Sequence, residues 1–318
     1  MDIIGRTAEF RKYLDEETKY RFVETAAALS RLGGLIECSG PGVTDALKIR
    51  ESAASSSLDG SEVSVADCYS SGKTGKEQNA EGVQKAEKQR RAAEIGIRYV
   101  SSGGNFSAPL LVRLHRITAG NGSVDADALK ELSVLMNRRT ENILLDIASV
   151  RYFFDLLLPF SEGNGTVGRI CTQISLNRYG IIRKGVLPLS RYFAEGRTGY
   201  VEKDCGDGKD FEDWVICFLN AVSYECERTE RFLRSYAQCK KEITEKTENV
   251  RRLREMPDAV MENPFLRVSD VQSIFRVSQP TAASYLAQME SLGIFREIPS
   301  DTRWKLYRAD GVLEVLDM

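Results

Sequence analysis

Histidine and long uncharged apolar runs are the two features that this sequence has least of. His115 is its one histidine, which excludes a site built from several imidazole ligands and leaves no second imidazole to serve as a base. The most apolar window, residues 143–160, is interrupted by Asp146, Arg151 and Asp155. That window therefore predicts a buried helix rather than a membrane span.

Paired cysteines, a secretory signal and excess charge are lacking as well. The seven cysteines are scattered and contain no C-x-x-C spacing, and the first residues lack a cationic segment followed by an apolar one. We therefore predict reduced thiols, a cytoplasmic location and no membrane partner. The formal net charge of −2 gives no general attraction to nucleic acid, so such binding would need a local basic patch.

Helical periodicity runs along most of the 318 residues, a length that favours two domains. The predicted helices are Thr18 to Leu32 ended by Gly33-Gly34, Val43 to Ser56, 81–99, Ala108 to Thr118, Ala128 to Asn137, Asn142 to Leu158, Arg169 to Arg178, one capped by Asp210, and Cys226 to Met256. In the last of these, Tyr236, Ile243 and Val250 recur every seven residues. Such a seam would face another helix or a second copy of the chain, as in a homodimer, and a solvated connector is the alternative.

The block from residue 257 to 318 has a different pattern. Val268 to Phe275, a three-residue turn and Gln279 to Leu292 give helix, turn and helix, and two strands are expected around Ser300-Asp301. The block resembles a winged helix-turn-helix. Because Gln279 to Leu292 contains no Lys or Arg, we expect either weak DNA binding or a protein-interaction role.

The stretch Leu158 to Arg169, LPFSEGNGTVGR, carries the strongest indication of chemistry. Three glycines, an asparagine and a carboxylate lie between an apolar helix and another helical pattern. Glycine permits positive φ and close approach of the backbone, so successive amides here can face one anion ahead of a helix N-terminus. The stretch therefore predicts a phosphate-binding turn.

The frame Pro-Phe-x-Glu-Gly-Asn-Gly-x-x-x-Arg resembles the signature of the Fic (Fido) family, whose members typically move AMP from ATP onto a protein hydroxyl. The family pattern is His-Pro-Phe-x-Asp/Glu-Gly-Asn-Gly-Arg-x-x-Arg. Here Leu158 stands at the position of the His, Thr166 at that of the first Arg, and Arg169 at that of the second.

Two further segments resemble the same family. Ser55-x-x-x-Asp59-Gly60 is similar to its inhibitory-helix motif, in which the acidic residue reaches the second Arg, here Arg169. An ordinary helix end with Gly60 in a left-handed conformation is the alternative interpretation. Residues 186–200 resemble the Ser-Arg-Tyr segment of the family.

The resemblance implies a mainly α fold, in which a Fic-like helical domain is followed by a small α+β winged helix domain. It assigns residues 1–100 to an N-terminal helical segment with the inhibitory-like motif and 101–225 to the core. Residues 226–256 would form a long connecting helix, and 257–318 the winged helix-turn-helix.

The resemblance also implies a nucleotide site. Gly163, Asn164, Gly165 and Arg169 would bind the phosphates of ATP, and Glu162 would hold Mg²⁺ together with the nucleotide. Leu158 cannot accept a proton, and the loss of a general base costs about 10²–10⁴ in rate. The family's β-hairpin flap, which clamps a target peptide, has no counterpart in the short AGNGSVDAD connection.

We therefore expect a catalytically impaired protein with a nucleotide-binding or regulatory role, weak affinity for ATP with Mg²⁺, and an unknown protein target. One alternative is an active nucleotidyltransferase in which Asp155, one turn before Leu158, serves as the base. The other is a DNA-binding regulator that acts through residues 257–318. We expect His115, in the segment APLLVRLHRIT, to have a structural role.

Overall fold

Helices make up most of the architecture, and the strands are confined to the C-terminal part of the chain. The computed structural model describes residues 3–74, 79–197, 208–299 and 304–318. In these ranges the helices are α1 (Ile3–Phe10), α2 (Glu16–Glu37), α3 (Pro41–Leu58), α4 (Val65–Ser70), α5 (Ala80–Ser101), α6 (Ala108–Thr118), α7 (Ala126–Asn137), α8 (Ile143–Leu157), α9 (Asn164–Arg178), α10 (Leu189–Ala194), α11 (Gly208–Thr247), α12 (Met256–Glu262), α13 (Val268–Phe275), α14 (Gln279–Ser291) and α15 (Asp310–Asp317). The strands are β1 (Phe265–Arg267), β2 (Arg296–Ile298) and β3 (Leu306–Arg308). The predicted fold class, mainly α with a small C-terminal β element, is confirmed.

Helix α8 lies at the centre of the helical part, in contact with α7, α9 and α11. Asn142 caps its first turn by accepting a hydrogen bond from the Leu145 amide, and most of the helix is buried. Asp146, an acidic residue within this apolar helix, is paired with Arg11 at 2.8 Å, so burial leaves no unpaired charge there. Across the described ranges, no helix is both long enough and apolar enough to cross a bilayer.

Helix α2 continues past the two glycines that were expected to end it. A Cβ atom on Gly33 would lie 2.2 Å from the carbonyl oxygen of Ile181, so this glycine serves a close approach between two parts of the chain. Helix α2 instead ends at Glu37. The prediction of a stop at Gly33-Gly34 was wrong because glycine has this second use.

Helix α11 is one uninterrupted helix of 40 residues, so the proposed boundary at residue 226 is not a break in secondary structure. Asp210 lies inside the helix and accepts a hydrogen bond from the Tyr152 hydroxyl at 2.8 Å, which corrects its assignment as an N-cap. The helix ends at Thr247, nine residues before the predicted end at Met256.

The seven-residue repeat begins in α11 and ends three residues beyond it, at Val250, and it faces the interior of the chain. Tyr236 and Ile243 are buried, and the Tyr236 hydroxyl donates to the carbonyl oxygen of Met261 in α12 at 3.3 Å. Val250 packs against the same core. The repeat thus fits the expected contact with a partner helix, here from the same chain, and it provides no argument for a homodimer.

The connection that would hold a flap in the Fic family is a short segment here. Among residues 119–125, Val124 forms a single antiparallel bridge with Phe160, supported by a hydrogen bond from the Asp125 amide to the Pro159 carbonyl at 2.9 Å. All of these residues are described, and none of them belongs to a hairpin. This segment therefore contacts the signature turn but forms no hairpin flap.

The C-terminal unit consists of α13 and α14, joined by residues 276–278, and an antiparallel sheet in the order β1-β3-β2. A winged helix-turn-helix contains elements of these kinds, and the winged helix stays a prediction. The turn expected at Ser300-Asp301 lies outside the described residues. The unit is joined to the helical part through α12 and α15, which contact α3 and α11.

The six described cysteines form no disulfide with one another, in agreement with the prediction of reduced thiols. Cys205 lies outside the described residues.

Candidate functional site

The turn between α8 and α9 is closed by its own side chains. Helix α8 ends at Leu158, whose φ of 44° is left-handed, and Gly163 has a φ of 72° at the N-cap of α9. The side chain of Asn164 accepts a hydrogen bond from the Phe160 amide at 2.9 Å and donates one to the Phe160 carbonyl at 2.6 Å. The Asn164 side chain, predicted to bind phosphate, is thus committed to holding the turn.

His115 packs against this turn. Its ring is stacked on Phe160, with centroids 4.1 Å apart, and its Nε2 lies 3.1 Å from the carbonyl oxygen of Glu162. Because a carbonyl oxygen only accepts, Nε2 carries the proton in this contact. His115 is buried, and its contacts agree with the structural role expected from the sequence.

Helix α9 begins at Asn164, five residues before the predicted start at Arg169. The predicted turn is shorter than expected, because a left-handed Gly163 leads the chain directly into the helix. The first amides of a helix have no intrahelical acceptor and lie at the positive end of its dipole. The predicted anion site is therefore the first turn of α9.

The carboxylate of Asp59 lies at this first turn. It accepts a hydrogen bond from the Thr166 hydroxyl at 2.5 Å and forms an ion pair with Arg169 Nη2 at 2.7 Å. Arg169 also donates through Nε to the Ser55 hydroxyl at 2.6 Å and through Nη2 to the Ser55 carbonyl at 3.1 Å. We call Ser55, Asp59, Thr166 and Arg169 the Asp59 lock.

The segment around Asp59 combines a helix end with a contact to Arg169. Gly60 has a φ of 81° and ends α3 with a hydrogen bond from its amide to the Ser57 carbonyl, as an ordinary helix end would. Asp59, directly before it, reaches Arg169 despite being one methylene shorter than Glu. The residue stands at the C-cap of α3, where the chain turns and brings the short side chain to α9.

The Asp59 lock lies at the first turn of α9, where the sequence predicted an anion site. Thr166 is the third residue of α9, and Arg169 follows it by one turn. A Cβ atom on Gly165 would lie 2.9 Å from Arg169 Nη1, so the guanidinium rests over the helix start where glycine leaves room. A hydroxyl in the first turn of α9 and a guanidinium one turn later thus hold a carboxylate of the same chain.

A cavity of about 570 Å³ adjoins the Asp59 lock. Its lining residues come from α3, α8, α9, α10 and α11, and are Glu51, Leu58, Asp59, Arg151, Asp155, Leu158, Asn164, Gly165, Arg169, Thr172, Gln173, Leu189, Ser190, Phe193, Trp214 and Phe218. The lining includes the guanidiniums of two arginines and the rings of three aromatic residues. Phe193 and Trp214 are stacked, with centroids 6.2 Å apart.

Neither of the two predicted catalytic positions offers a free proton acceptor to this cavity. Leu158 lines it with a hydrocarbon side chain that is 59% exposed. Asp155 also lines it, but its carboxylate forms an ion pair with Arg151 one turn earlier in α8. The acid proposed as a substitute base is therefore held by a cation of its own helix.

Glu162, Gly163 and Gly60 do not line the cavity. Glu162, the predicted Mg²⁺ ligand, is exposed on the outer side of the turn, whereas Gly163 and Gly60 shape the backbone. Within the described residues, no three His, Cys, Asp or Glu side chains are grouped to hold a metal ion. The structure thus brings together Asp155, Leu158, Asn164, Gly165, Arg169, Asp59 and, through Arg169, Ser55.

Glu51 is a buried acid among the lining residues that sequence reasoning missed. It is 5% exposed, and its carboxyl accepts hydrogen bonds from the Ser190 hydroxyl at 2.6 Å and the Ser190 amide at 3.0 Å. Burial raises the pKa of Glu51 to about 7, against the lowering effect of the Ser190 hydrogen bonds and the charge of Arg169. No local pattern marks Glu51, because its partner is 139 positions away.

Comparison with solved structures bears on the fold. The sequence matches no protein-family profile. Its structure is similar to the crystal structure of a Fic family protein from Desulfovibrio desulfuricans G20, with a TM-score of 0.51 and 14% sequence identity. The likeness covers 91% of this chain and 95% of that chain. At this identity it concerns the fold alone: the chain has the helical fold of a Fic family protein, as the resemblance of its motifs predicted.

Proposed function

We propose that this protein is a Fic-fold nucleotide-binding or regulatory protein that has lost ordinary AMP-transfer activity. The observation that carries the proposal is the Asp59 lock: a carboxylate held by Arg169 and Thr166 at the first turn of α9. Phosphate oxygens make the same kinds of hydrogen bond as a carboxylate. A nucleotide phosphate would take the place of Asp59.

The cavity fits a nucleotide in part. Phe193, Trp214 and Phe218 offer apolar and stacking surfaces for a base. Arg169, once Asp59 is displaced, would offer positive charge near the helix start. Mg²⁺ has weaker support, since Glu162 is one exposed carboxylate outside the cavity. The metal would depend chiefly on the phosphates of the nucleotide, and this supports weak binding of ATP with Mg²⁺.

A general base for AMP transfer is lacking among the residues predicted or weighed for that role. Leu158 has no acceptor atom, Asp155 is paired with Arg151, and His115 is buried beneath the turn with Nε2 on the Glu162 carbonyl. A missing general base costs about 10²–10⁴ in rate. Thr166, where the family has an Arg, also removes one cation that would balance the triphosphate. An active enzyme based on Asp155 therefore has less support.

Nucleotide binding is tested by calorimetry with ATP and Mg²⁺ on three full-length proteins. We expect weak binding by the wild type and tighter binding by Asp59→Ala, because the variant no longer fills its own anion site. Asp45→Ala, which removes an exposed carboxylate from the same helix, should bind as the wild type does. Absence of heat at millimolar nucleotide for Asp59→Ala would eliminate the nucleotide-binding part of the proposal.

Loss of transfer is tested with ATP labelled in its α-phosphate. We expect no labelled protein with the wild type or with Asp59→Ala, since neither has a base at residue 158. Adding Leu158→His and Thr166→Arg to Asp59→Ala should produce self-labelling, because the left-handed backbone at residue 158 already directs a side chain into the cavity. Strong labelling by Asp59→Ala alone would contradict the proposal of an impaired enzyme.

A further inference from the structure

Arg50 joins the helix of the Asp59 lock to the C-terminal unit. It lies on α3, next to Glu51, and is 2% exposed. Its Nη1 donates to the Leu316 carbonyl at 2.9 Å and its Nη2 to the Met318 carbonyl at 3.0 Å. The guanidinium also lies over the ring of Phe232, 4.6 Å from its centroid. A buried guanidinium thus binds the end of α15.

Two more arginines bind the same end of α15. Arg191 of α10 donates to the Asp317 carbonyl at 2.6 Å, and Arg228 of α11 donates to the Met318 carbonyl at 3.0 Å. Cations are favoured where the last carbonyls of a helix lack intrahelical donors. The three helices that supply these arginines, α3, α10 and α11, also line the cavity.

Helix α3 provides a rigid connection between this contact and the Asp59 lock. Arg50 and Asp59 are nine residues apart, about 14 Å along a helix, and residues 51–58 contain neither Gly nor Pro. Hinges and kinks in helices arise mainly at such residues. Glu51, bonded to Ser190 at the start of α10, fixes α3 laterally between the two ends.

Burial makes the Arg50 contact sensitive to the position of α15. Burial lowers the pKa of Arg50 to about 9, which reflects the cost of keeping this charge away from water. Within the described residues, its Nε has no hydrogen-bond partner. If α15 moved away, Arg50 would also lose the acceptors of its two Nη atoms. The buried Glu225 of α11 would still offset part of the charge, but a buried guanidinium without hydrogen-bond acceptors is unfavourable, so α3 would have to shift to let Arg50 reach water.

We propose that docking of α15 on Arg50 holds α3 in the position that keeps the Asp59 lock closed, so that displacement of the C-terminal unit opens the anion site. The ligand of that site rests on the proposed function, whereas the mechanical coupling does not. The proposal gives the C-terminal unit a regulatory role in access to the cavity.

Hydrogen exchange on the full-length protein tests the coupling without any ligand. Leu316→Ala weakens docking, because Leu316 is a fully buried contact of α15, and Glu314→Ala is the matched control on the exposed side of the same helix. We expect the amides of residues 55–60 to exchange at least about tenfold faster in Leu316→Ala. The control should match the wild type.

A second variant keeps the test valid if Leu316→Ala folds poorly. Arg50→Lys retains the charge but loses the two-pronged contact with α15, and it should accelerate the same amides of α3. Acceleration confined to α3 and α15 supports the coupling. Unchanged exchange in residues 55–60, or equal acceleration in α8, would overturn it.

Nucleotide affinity separates this proposal from the proposed function. Leu316→Ala should raise the affinity for ATP by about fivefold or more in the wild type, but not in Asp59→Ala, where the lock is already absent. If Asp59→Ala binds no ATP while the exchange result holds, the proposed ligand is wrong and the coupling stands. If Asp59→Ala binds ATP but Leu316→Ala leaves the exchange of α3 unchanged, the coupling is wrong.

Discussion

At the scale of single residues, Thr166 changes what the first turn of α9 does. The Fic signature has a cation at this position, whereas the Thr166 hydroxyl donates a hydrogen bond to Asp59 at 2.5 Å. Asp59 is thereby held by a neutral donor as well as by Arg169. The Thr166 hydroxyl therefore adds a second hydrogen bond to the contact between Asp59 and Arg169.

Thr166→Val tests this hydrogen bond, since it replaces the hydroxyl with a methyl group of similar shape. We expect the free energy of unfolding to fall by about 1 kcal/mol, because Asp59 is partly exposed and water replaces part of the lost hydrogen bond. Urea denaturation measures the change, and Thr166→Ser, which keeps the hydroxyl, is the control. Equal stability of the Val and Ser variants would mean that the hydrogen bond contributes nothing.

At the scale of elements, α3 and α10 are joined through a buried acid. The folded state raises the pKa of Glu51 from 4.5 to about 7 by burial, so the folded protein binds a proton there that the unfolded chain releases between pH 4.5 and 7. Stability contributed by this group is complete below about pH 4.5 and falls as pH rises towards 7.

Glu51→Gln removes this pH dependence while keeping the shape of the side chain. Relative to the wild type, the variant should gain about 3 kcal/mol in the free energy of unfolding between pH 4.5 and 7.5, the free-energy equivalent of the raised pKa. Denaturation curves at several pH values give the comparison, and Glu314→Gln, at an exposed position, should parallel the wild type. Parallel curves for Glu51→Gln and the wild type would contradict the raised pKa.

The sequence predicted helix boundaries correctly where capping residues close by in the chain determine them. The bounds of α6, Ala108–Thr118, were predicted correctly, because Ser107 caps its first turn and Pro109 favours a helix start. The start of α9 and the end of α2 were wrong, since glycine was taken as a loop or a stop. Gly163 instead begins a helix, and Gly33 permits a close approach by Ile181.

At the scale of the whole molecule, three of the basic residues in the described part of the C-terminal unit are held in ion pairs within it. Arg296 and Arg308 both pair with Asp310, and Lys305 pairs with Glu297. Since phosphate contacts supply most of the affinity for DNA, ion pairs within the unit oppose DNA binding through residues 257–318. The contacts of α15 with α3 and α11 favour a regulatory role towards the helical part.

Fluorescence anisotropy with a labelled DNA duplex at physiological salt tests this view on the full-length protein. We expect binding by the wild type to be weaker than about 10⁻⁴ M, the weak end of non-specific binding. Asp310→Asn, which weakens the pairing of Arg296 and Arg308, should bind more tightly. Micromolar, salt-dependent binding by the wild type would restore the DNA-binding alternative.

The sequence by itself determined the helical character, the signature turn and the absence of a base at residue 158, because each depends on residues close together in the chain. Only the tertiary structure decided that Glu51 binds Ser190 and that Arg50 binds the end of α15. These partners are 139 and 266 positions apart. No local propensity records such a distance: a charged side chain on a helix is expected in water unless the packing of other elements buries it.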